Sequence, residues 1–409
     1  MLIPVASSQR CSQHTGNWRA SVGLRLSQRA SVLIVLLSGC SIPPTTTTSS
    51  GTNPPQTPPT PVKSLAVWTN NFNGVPFTMV GTDPSSANGG TTEITTIIVP
   101  VRLNFGGIVI TPEEPACGDT QPAIQRVIQS PILQNAAWNP AVFPAATTST
   151  QFGDAFQRAN FWSIISKTSP NYHVLLSPYS EAAAITINIP PGIGAQIAQN
   201  PLCPSEFYGA VPQQYLDTAV QQALIGLHAT ADQLVMFITY DTELLLTDGG
   251  IWLGYHSNAG GQTYLVASYM DGAFEQIFRT PGAIDTSVLS HEVGEWLDNP
   301  LGVNKVPAWG GYGLQTSCGS DLEVGDPLVG NVGAYTDPTG FSYHLQELAY
   351  FSWFARNSPS LAYQGRYSTL GTFPTVAPPC VNGALKSDHL RLPQSNYTEW
   401  HPVRSAETD

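Results

Sequence analysis

The stretch Leu289-Ser290-His291-Glu292-Val293-Gly294-Glu295-Trp296-Leu297-Asp298-Asn299-Pro300 constrains the fold more than any other part of the chain. At about 100° per residue, a helix places His291, Glu295 and Asp298 on one face. Leu289, Val293, Trp296 and Leu297 gather on the other, forming the apolar stripe a helix needs to pack on a core. Asp285 or Thr286 is positioned to cap the start. Pro300 ends it, because the residue before a proline avoids the helical region. The expected element is a helix with a buried apolar back and a polar face turned into a cleft.

The chemistry of that face follows from its residue types. His-Glu-x-x-Glu differs at one place from His-Glu-x-x-His, in which two imidazoles one helical turn apart bind zinc and the glutamate activates water. Carboxylate oxygen is also an acceptable zinc ligand, so Glu295 keeps the metal reading open. Glu292 sits at the edge of the polar face, where it can hold a water beside a metal. The same pattern also occurs on ordinary solvated helices, and the surroundings must decide. Downstream, Asp321-Leu322-Glu323-Val324-Gly325-Asp326-Pro327 supplies more acids, which Gly325 and Pro327 assign to a loop or short strand. Either Glu323 or Asp326 is the expected third ligand. One imidazole with two carboxylates is a hard donor set, which takes one zinc ion and also accommodates manganese or calcium.

The chain before this helix has strand and hairpin patterning. Gln233–Tyr240 is an apolar run of strand length. Gly250–Ser257 and Thr263–Tyr269, separated by Asn258-Ala259-Gly260-Gly261, read as a hairpin. Val211–Leu227 carries Leu216, Val220, Ala223 and Leu227 at helical spacing. Farther upstream, Ser64–Phe72, Phe77–Gly81, Thr91–Phe105 and Asn171–Leu176 read as strands, and Gln121–Ser130 and Gly153–Ser166 as helices. The fold class is therefore α+β: a mixed twisted sheet with an edge hairpin, packed on an active-site helix and joined by Gly/Pro-rich loops.

Ser290-His291-Glu292-x-x-Glu295, Asn299-Pro300-Leu301, Ala308-Trp309 and Glu323-Val324-Gly325-Asp326 together resemble the phosphate-induced, exordium-like secreted proteins. They also resemble bacterial zincin-like proteins carrying H-E-x-x-E and a downstream Glu-x-x-Asp. Gly254-Tyr255-His256-Ser257 occupies the place of a similar segment in that group. The likeness spans about Gln233–Phe354. It implies a zincin-like fold, with His291 and Glu295 as ligands, Glu292 as general base, and Glu323 or Asp326 completing the site. Glu295 departs from true H-E-x-x-H peptidases, which leaves peptidase activity open.

The N-terminus speaks to location. Val32–Leu37 is a short apolar core after Arg25 and Arg29, too short to span a bilayer and shaped like a signal segment. Leu37-Ser38-Gly39-Cys40 resembles a bacterial lipobox, with Cys40 as the lipidated residue. The long leader before it suggests translation starting near Val22 or Leu24. Residues 41–63 are rich in Pro and Thr and read as a tether. Residues 64–385 would form the zincin-like domain (64–210 a scaffold half, 211–385 the metal-site half), and 386–409 a polar tail. The expectation is an exported bacterial lipoprotein, periplasmic or on the cell surface, touching the membrane only through its anchor.

A net charge of −12 argues against nucleic acid and anionic surfaces as partners. Only 11% of residues are charged, while Gly (36) and Pro (35) are abundant, a surface typical of exported proteins. Besides Cys11 and Cys40, the cysteines are Cys117, Cys203, Cys318 and Cys380, an even number that suggests two disulfides. Cys117–Cys203 and Cys318–Cys380 is the favoured pairing, since each stays within one half of the chain.

Other candidates have weaker support. His256 beside the cleft, Asp298 on the polar face and His344 on an aromatic-rich segment are possible substrate or supporting residues, each also readable as structural. Tyr255 and Tyr343 have phenols able to stabilise an oxyanion. His173 reads as a satisfied strand residue. A Ser-His-Asp mechanism is disfavoured, because Ser290 and His291 are adjacent on a helix and do not face each other. The leading function is a zinc-dependent, peptidase-like hydrolase acting on peptide or cell-wall substrate. The alternative is a catalytically degenerate zincin-like binding protein of the cell envelope. A third is a surface lipoprotein whose fold only supports interaction with other envelope proteins.

Overall fold

The computed structural model describes residues 63–72, 75–87, 89–144, 149–275, 280–310, 318–380 and 398–399. The signal segment, lipobox Cys40, residues 41–62 of the tether and nearly all of the polar tail lie outside them.

Leu234–Tyr240 is the spine, and each of its residues is buried. A strand buried on both faces needs a layer on each. Its pleat supplies two sets of side chains. Met236 and Ile238 face the larger core with Leu289, Val293, Trp296 and Leu297, while Val235 and Phe237 join a second core with Leu216, Val220 and Leu224. The helix Ser287–Asp298 thus covers one face of the sheet and the helix Gln213–Gly226 the other. Trp296 is fully buried, and its truncation to alanine would cost about 3–5 kcal/mol.

Leu234–Tyr240 runs parallel to Thr96–Phe105 on one side and Gln262–Tyr269 on the other. Gly254–Ala259 adds antiparallel to Gln262–Tyr269 and forms the edge. The hairpin turns at Gly260 and Gly261, with φ of +61° and +94°, the left-handed conformation that a two-residue loop needs and glycine supplies without strain. Asn258 and Ala259, expected in the turn, belong to the strand. Tyr179–Glu181 and Ile185–Asn188 pair with successive halves of Thr96–Phe105. Strands from the expected scaffold half, such as Thr96–Phe105, and from the expected metal-site half, such as Leu234–Tyr240, therefore share one sheet. A separate sheet orders Ile251–Trp252, Thr242–Leu245, Phe207–Pro212 and Ala195–Gln199. The architecture is mixed α+β, with several sheets and few helices.

Some expected elements break. The Thr91–Phe105 run divides into Thr91–Glu93 and Thr96–Phe105. The Gly153–Ser166 helix divides at Phe161 into Phe152–Asn160 and Trp162–Thr168. The helix Ser287–Asp298 has no side-chain cap: Thr286 stands at the N-cap without such a bond. Asp285 is turned to a φ of +38° and accepts from His344. Its polar face also does not open into a wide cleft, because Ser290, Glu292, Glu295 and Asp298 are all buried.

Cysteines pair Cys117–Cys203 and Cys318–Cys380, with Cα atoms 5.8 and 5.9 Å apart. Among the described residues, no helix is long and apolar enough to cross a membrane.

Candidate metal centre

Glu295 lies between two imidazoles. Its Oε1 is 3.1 Å from His291 Nε2 on the same helix, and its Oε2 is 3.6 Å from His256 Nδ1 on the edge strand. The backbone N–H groups of Gly325 and Asp326 each donate to Oε1 at 3.2 Å. His291 Nε2 also faces Asp326 Oδ1 at 3.8 Å. His256 Nδ1 faces Glu292 Oε2 at 3.6 Å, and its Nε2 faces Glu323 Oε2 at 3.8 Å. The structure thus brings together His256, His291, Glu292, Glu295, Glu323 and Asp326. Their side chains are only 2–12% exposed.

Local structure explains how each arrives. His291, Glu292 and Glu295 come from consecutive turns of one helix. His256 comes from the pleat of the hairpin: Tyr255 packs in the second core, so its neighbour points to the opposite face, where the helix lies. Asp326 begins a short 3-10 turn, Asp326–Leu328, with Pro327 tolerated at its start. The expectation of loop or strand there is corrected to this extent.

Both imidazoles have one nitrogen occupied. Gln346 donates Nε2–H to the Gly325 carbonyl at 2.7 Å, so its Oε1 accepts from His291 Nδ1 at 3.0 Å. His256 Nε2 donates to the Asn299 carbonyl at 3.1 Å. The remaining nitrogens, His291 Nε2 and His256 Nδ1, both face Glu295. Second-partner hydrogen bonds of this kind orient metal-ligating histidines. Glycines make the space: a Cβ on Gly325 would lie 2.5–2.7 Å from the His291 ring, and one on Gly254 2.8 Å from Glu292 Oε1.

The electrostatics are those of a buried cluster of opposite charges. Burial alone would lower His291, but Glu295, Glu292 and Asp326 outweigh it and hold the imidazole well above its ordinary value. Burial likewise would lower His256, but Glu323, Glu292 and Glu295 outweigh it and hold this imidazole well above its ordinary value too. Burial would raise Glu295, yet His291 and His256 hold it well below the usual carboxylate range. At Glu292 burial wins and the carboxyl is raised. Its Oε2 is buried without a hydrogen-bond partner.

Two oxygen and nitrogen triads have their atoms mutually within 4.8 Å, His291–Glu295–Asp326 and His256–Glu292–Glu295. Glu323 stands apart from the first, accepting from Asn299 Nδ2 at 3.1 Å. Two other candidates are elsewhere. Asp298 accepts from Gln157 and from Asn160 Nδ2 (3.0 Å), with burial pushing its carboxyl up to about 7. Seven residues along the helix from His291, it has advanced about 10 Å along the axis, beyond the pocket. His344 pairs with Asp285 rather than approaching the pocket. Of the two tyrosines, Tyr255 donates to Asp217 at 3.0 Å on the other side of the sheet, and Tyr343 packs on Phe341. His173 pairs with Asp154 at 2.8 Å, a structural role.

Sequence reasoning missed Gln346 and Asn299, which hold the imidazoles, and the space-making role of Gly325. An isolated Gln, Asn or Gly carries no local pattern that marks it. Comparison of the chain with protein-family models, with curated proteins and with solved structures gives no match.

Proposed function

We propose that this protein is a zinc-dependent hydrolase of zincin-like fold, exported and acting on peptide or cell-wall substrate. The observation that carries this reading is the meeting of His291 Nε2, Glu295 and Asp326, with the outer nitrogen of His291 already held by Gln346 and Glu292 Oε2 beside them without a hydrogen bond. The donor set fits zinc: one imidazole and two carboxylates, with a second imidazole, His256, on the far oxygen of Glu295. Bound zinc would polarise a scissile carbonyl and acidify water. The chain's own residues do the rest. Glu292, made more basic by burial, takes the proton of the attacking water. His256, 3.6 Å from Glu292 and held in its protonated form by the surrounding acids, is placed to give its proton to the leaving group and take the one on Glu292 in exchange. Gln346 fixes the His291 ring. The edge strand Gly254–Ala259 supports the reading as a ledge for an extended substrate chain. Export is supported by the two disulfides, which persist in oxidising compartments.

The test is a paired measurement on the purified chain: zinc content and cleavage of an unbiased peptide library. Glu292→Gln should retain zinc and lose hydrolysis. A chain that binds no zinc after mild purification, or a variant as active as the parent, would defeat the proposal.

One observation favours the second reading, a degenerate binding protein. The histidines and acids already neutralise one another, as in His291 with Glu295, and the pocket is nearly closed. Zinc-loaded protein that cleaves nothing but is retained on cell-wall glycan or peptide would select it.

A further inference from the structure

Away from the His291 pocket, three carboxylates meet where the main sheet passes into the four-stranded sheet. Asp241 directly follows Leu234–Tyr240, Asp271 lies just beyond Gln262–Tyr269, and Glu206 directly precedes Phe207–Pro212. One oxygen from each lies within 4.8 Å of the others. Asp241 is completely buried. Its Oδ1 accepts from the Asp271 N–H at 2.7 Å, which leaves Oδ2 buried beside the other acids with no hydrogen-bond partner. Glu206 Oε2 accepts the phenol of Tyr240 at 3.0 Å, and Asp271 Oδ1 accepts the phenol of Tyr208 at 3.0 Å. Asn200 Nδ2 donates to Asp271. Among the described residues, no lysine, arginine or histidine forms an ion pair with any of the three.

We propose that Glu206, Asp241 and Asp271 bind a hard divalent cation, calcium, at a site separate from the His291 pocket, joining the ends of three strands. Burying carboxylates without a counter-charge is strongly unfavourable, so the group must take up protons or a cation. Geometry favours the cation. Asp241 Oδ2 is buried with no hydrogen-bond partner, and a cation touching all three acids would satisfy it. Oxygens bound to one calcium ion lie no more than about 4.6–5.2 Å apart, twice the usual Ca–O distance, and the three oxygens here, within 4.8 Å of one another, fall inside that limit. The all-oxygen donor set, without imidazole or thiolate, suits calcium over zinc. Asp271 also lines a cavity of about 490 Å³ together with Asp119 and Tyr269, which offers an approach to the site. Burial and the neighbouring Asp271 and Glu206 push Asp241 upward.

The test uses the full chain, stripped of calcium and titrated with terbium, whose emission the adjacent Tyr240 and Tyr208 would sensitise. Emission should rise on binding and fall when calcium displaces the terbium. Calcium at about 100 times its dissociation constant should favour the folded state about 100-fold. Asp241→Asn and, independently, the milder Glu206→Gln should abolish both responses, while Glu295→Gln should keep them. No emission and no calcium-dependent stability in the parent chain would overturn the proposal. So would responses that survive Asp241→Asn or Glu206→Gln, or that vanish in Glu295→Gln. A calcium-free Asp241→Asn chain as stable as the calcium-free parent or more so, with no calcium response in either, would point to protonated acids instead.

Discussion

Gly325→Ala tests the packing of the Gly325 turn against the His291 ring. Gly325 has φ −86° and ψ −35°, a helical conformation open to any residue, so the backbone does not require glycine. The ring does. A Cβ would lie 2.5 Å from His291 Nδ1, 2.6 Å from Cγ and 2.7 Å from Cε1. Ordinary contacts are about 3.5–4.0 Å, so the ring and the turn must part by about 1 Å. Overpacking of this kind costs about 1–3 kcal/mol. Replacing glycine at a compatible backbone position returns about 0.4–1 kcal/mol through the unfolded chain. The net expectation is a destabilisation of about 1–2 kcal/mol, given these opposing contributions. The separation also breaks the alignment of Nδ1 with Gln346 Oε1, and loss of such a supporting hydrogen bond typically weakens metal affinity about 10–100-fold. Urea denaturation gives the first quantity and zinc competition against a coloured chelator the second. A variant with parental stability and parental zinc affinity would refute the placement of the Gly325 turn against the imidazole.

In the metal-free chain, His256 and His291 are raised, so their contribution to stability is full below the ordinary value of about 6.5 and is lost as pH rises through their folded values. Glu295 is lowered, so its contribution is present above its ordinary value and is lost as pH falls through the folded one. Denaturant midpoints in chelator should therefore fall on the alkaline side, while zinc affinity rises there because the metal must displace imidazole protons; a flat profile for both would contradict the pairing. Asp298→Ala should lose about 2–4 kcal/mol by stranding the amides of Gln157 and Asn160, yet leave zinc affinity unchanged in the same chelator assay. Reduction of Cys117–Cys203, which spans 86 residues, should lower stability by up to about 4–5 kcal/mol, readable as a shift in urea midpoint with and without reductant.

What the chain determined alone is its local order. The helix Ser287–Asp298, the largely apolar strand Leu234–Tyr240 and the Gly260-Gly261 hairpin follow from periodicity and turn chemistry, which act between neighbours in sequence. His291, Glu292 and Glu295 were legible for the same reason: one helix carries all three. Tertiary structure decided the rest. The hairpin's alternation shows that Tyr255 and His256 oppose each other, but which of them meets the acids depends on which face of the sheet the helix covers. Asp298 shares a helical face with His291, yet the crossing helix Phe152–Asn160 captures it about 10 Å along the axis. Asp326, rather than Glu323, faces His291 because the turn at Gly325 docks its N–H groups on Glu295. Contacts between residues far apart in sequence depend on how the layers pack, and no spacing along the chain encodes that.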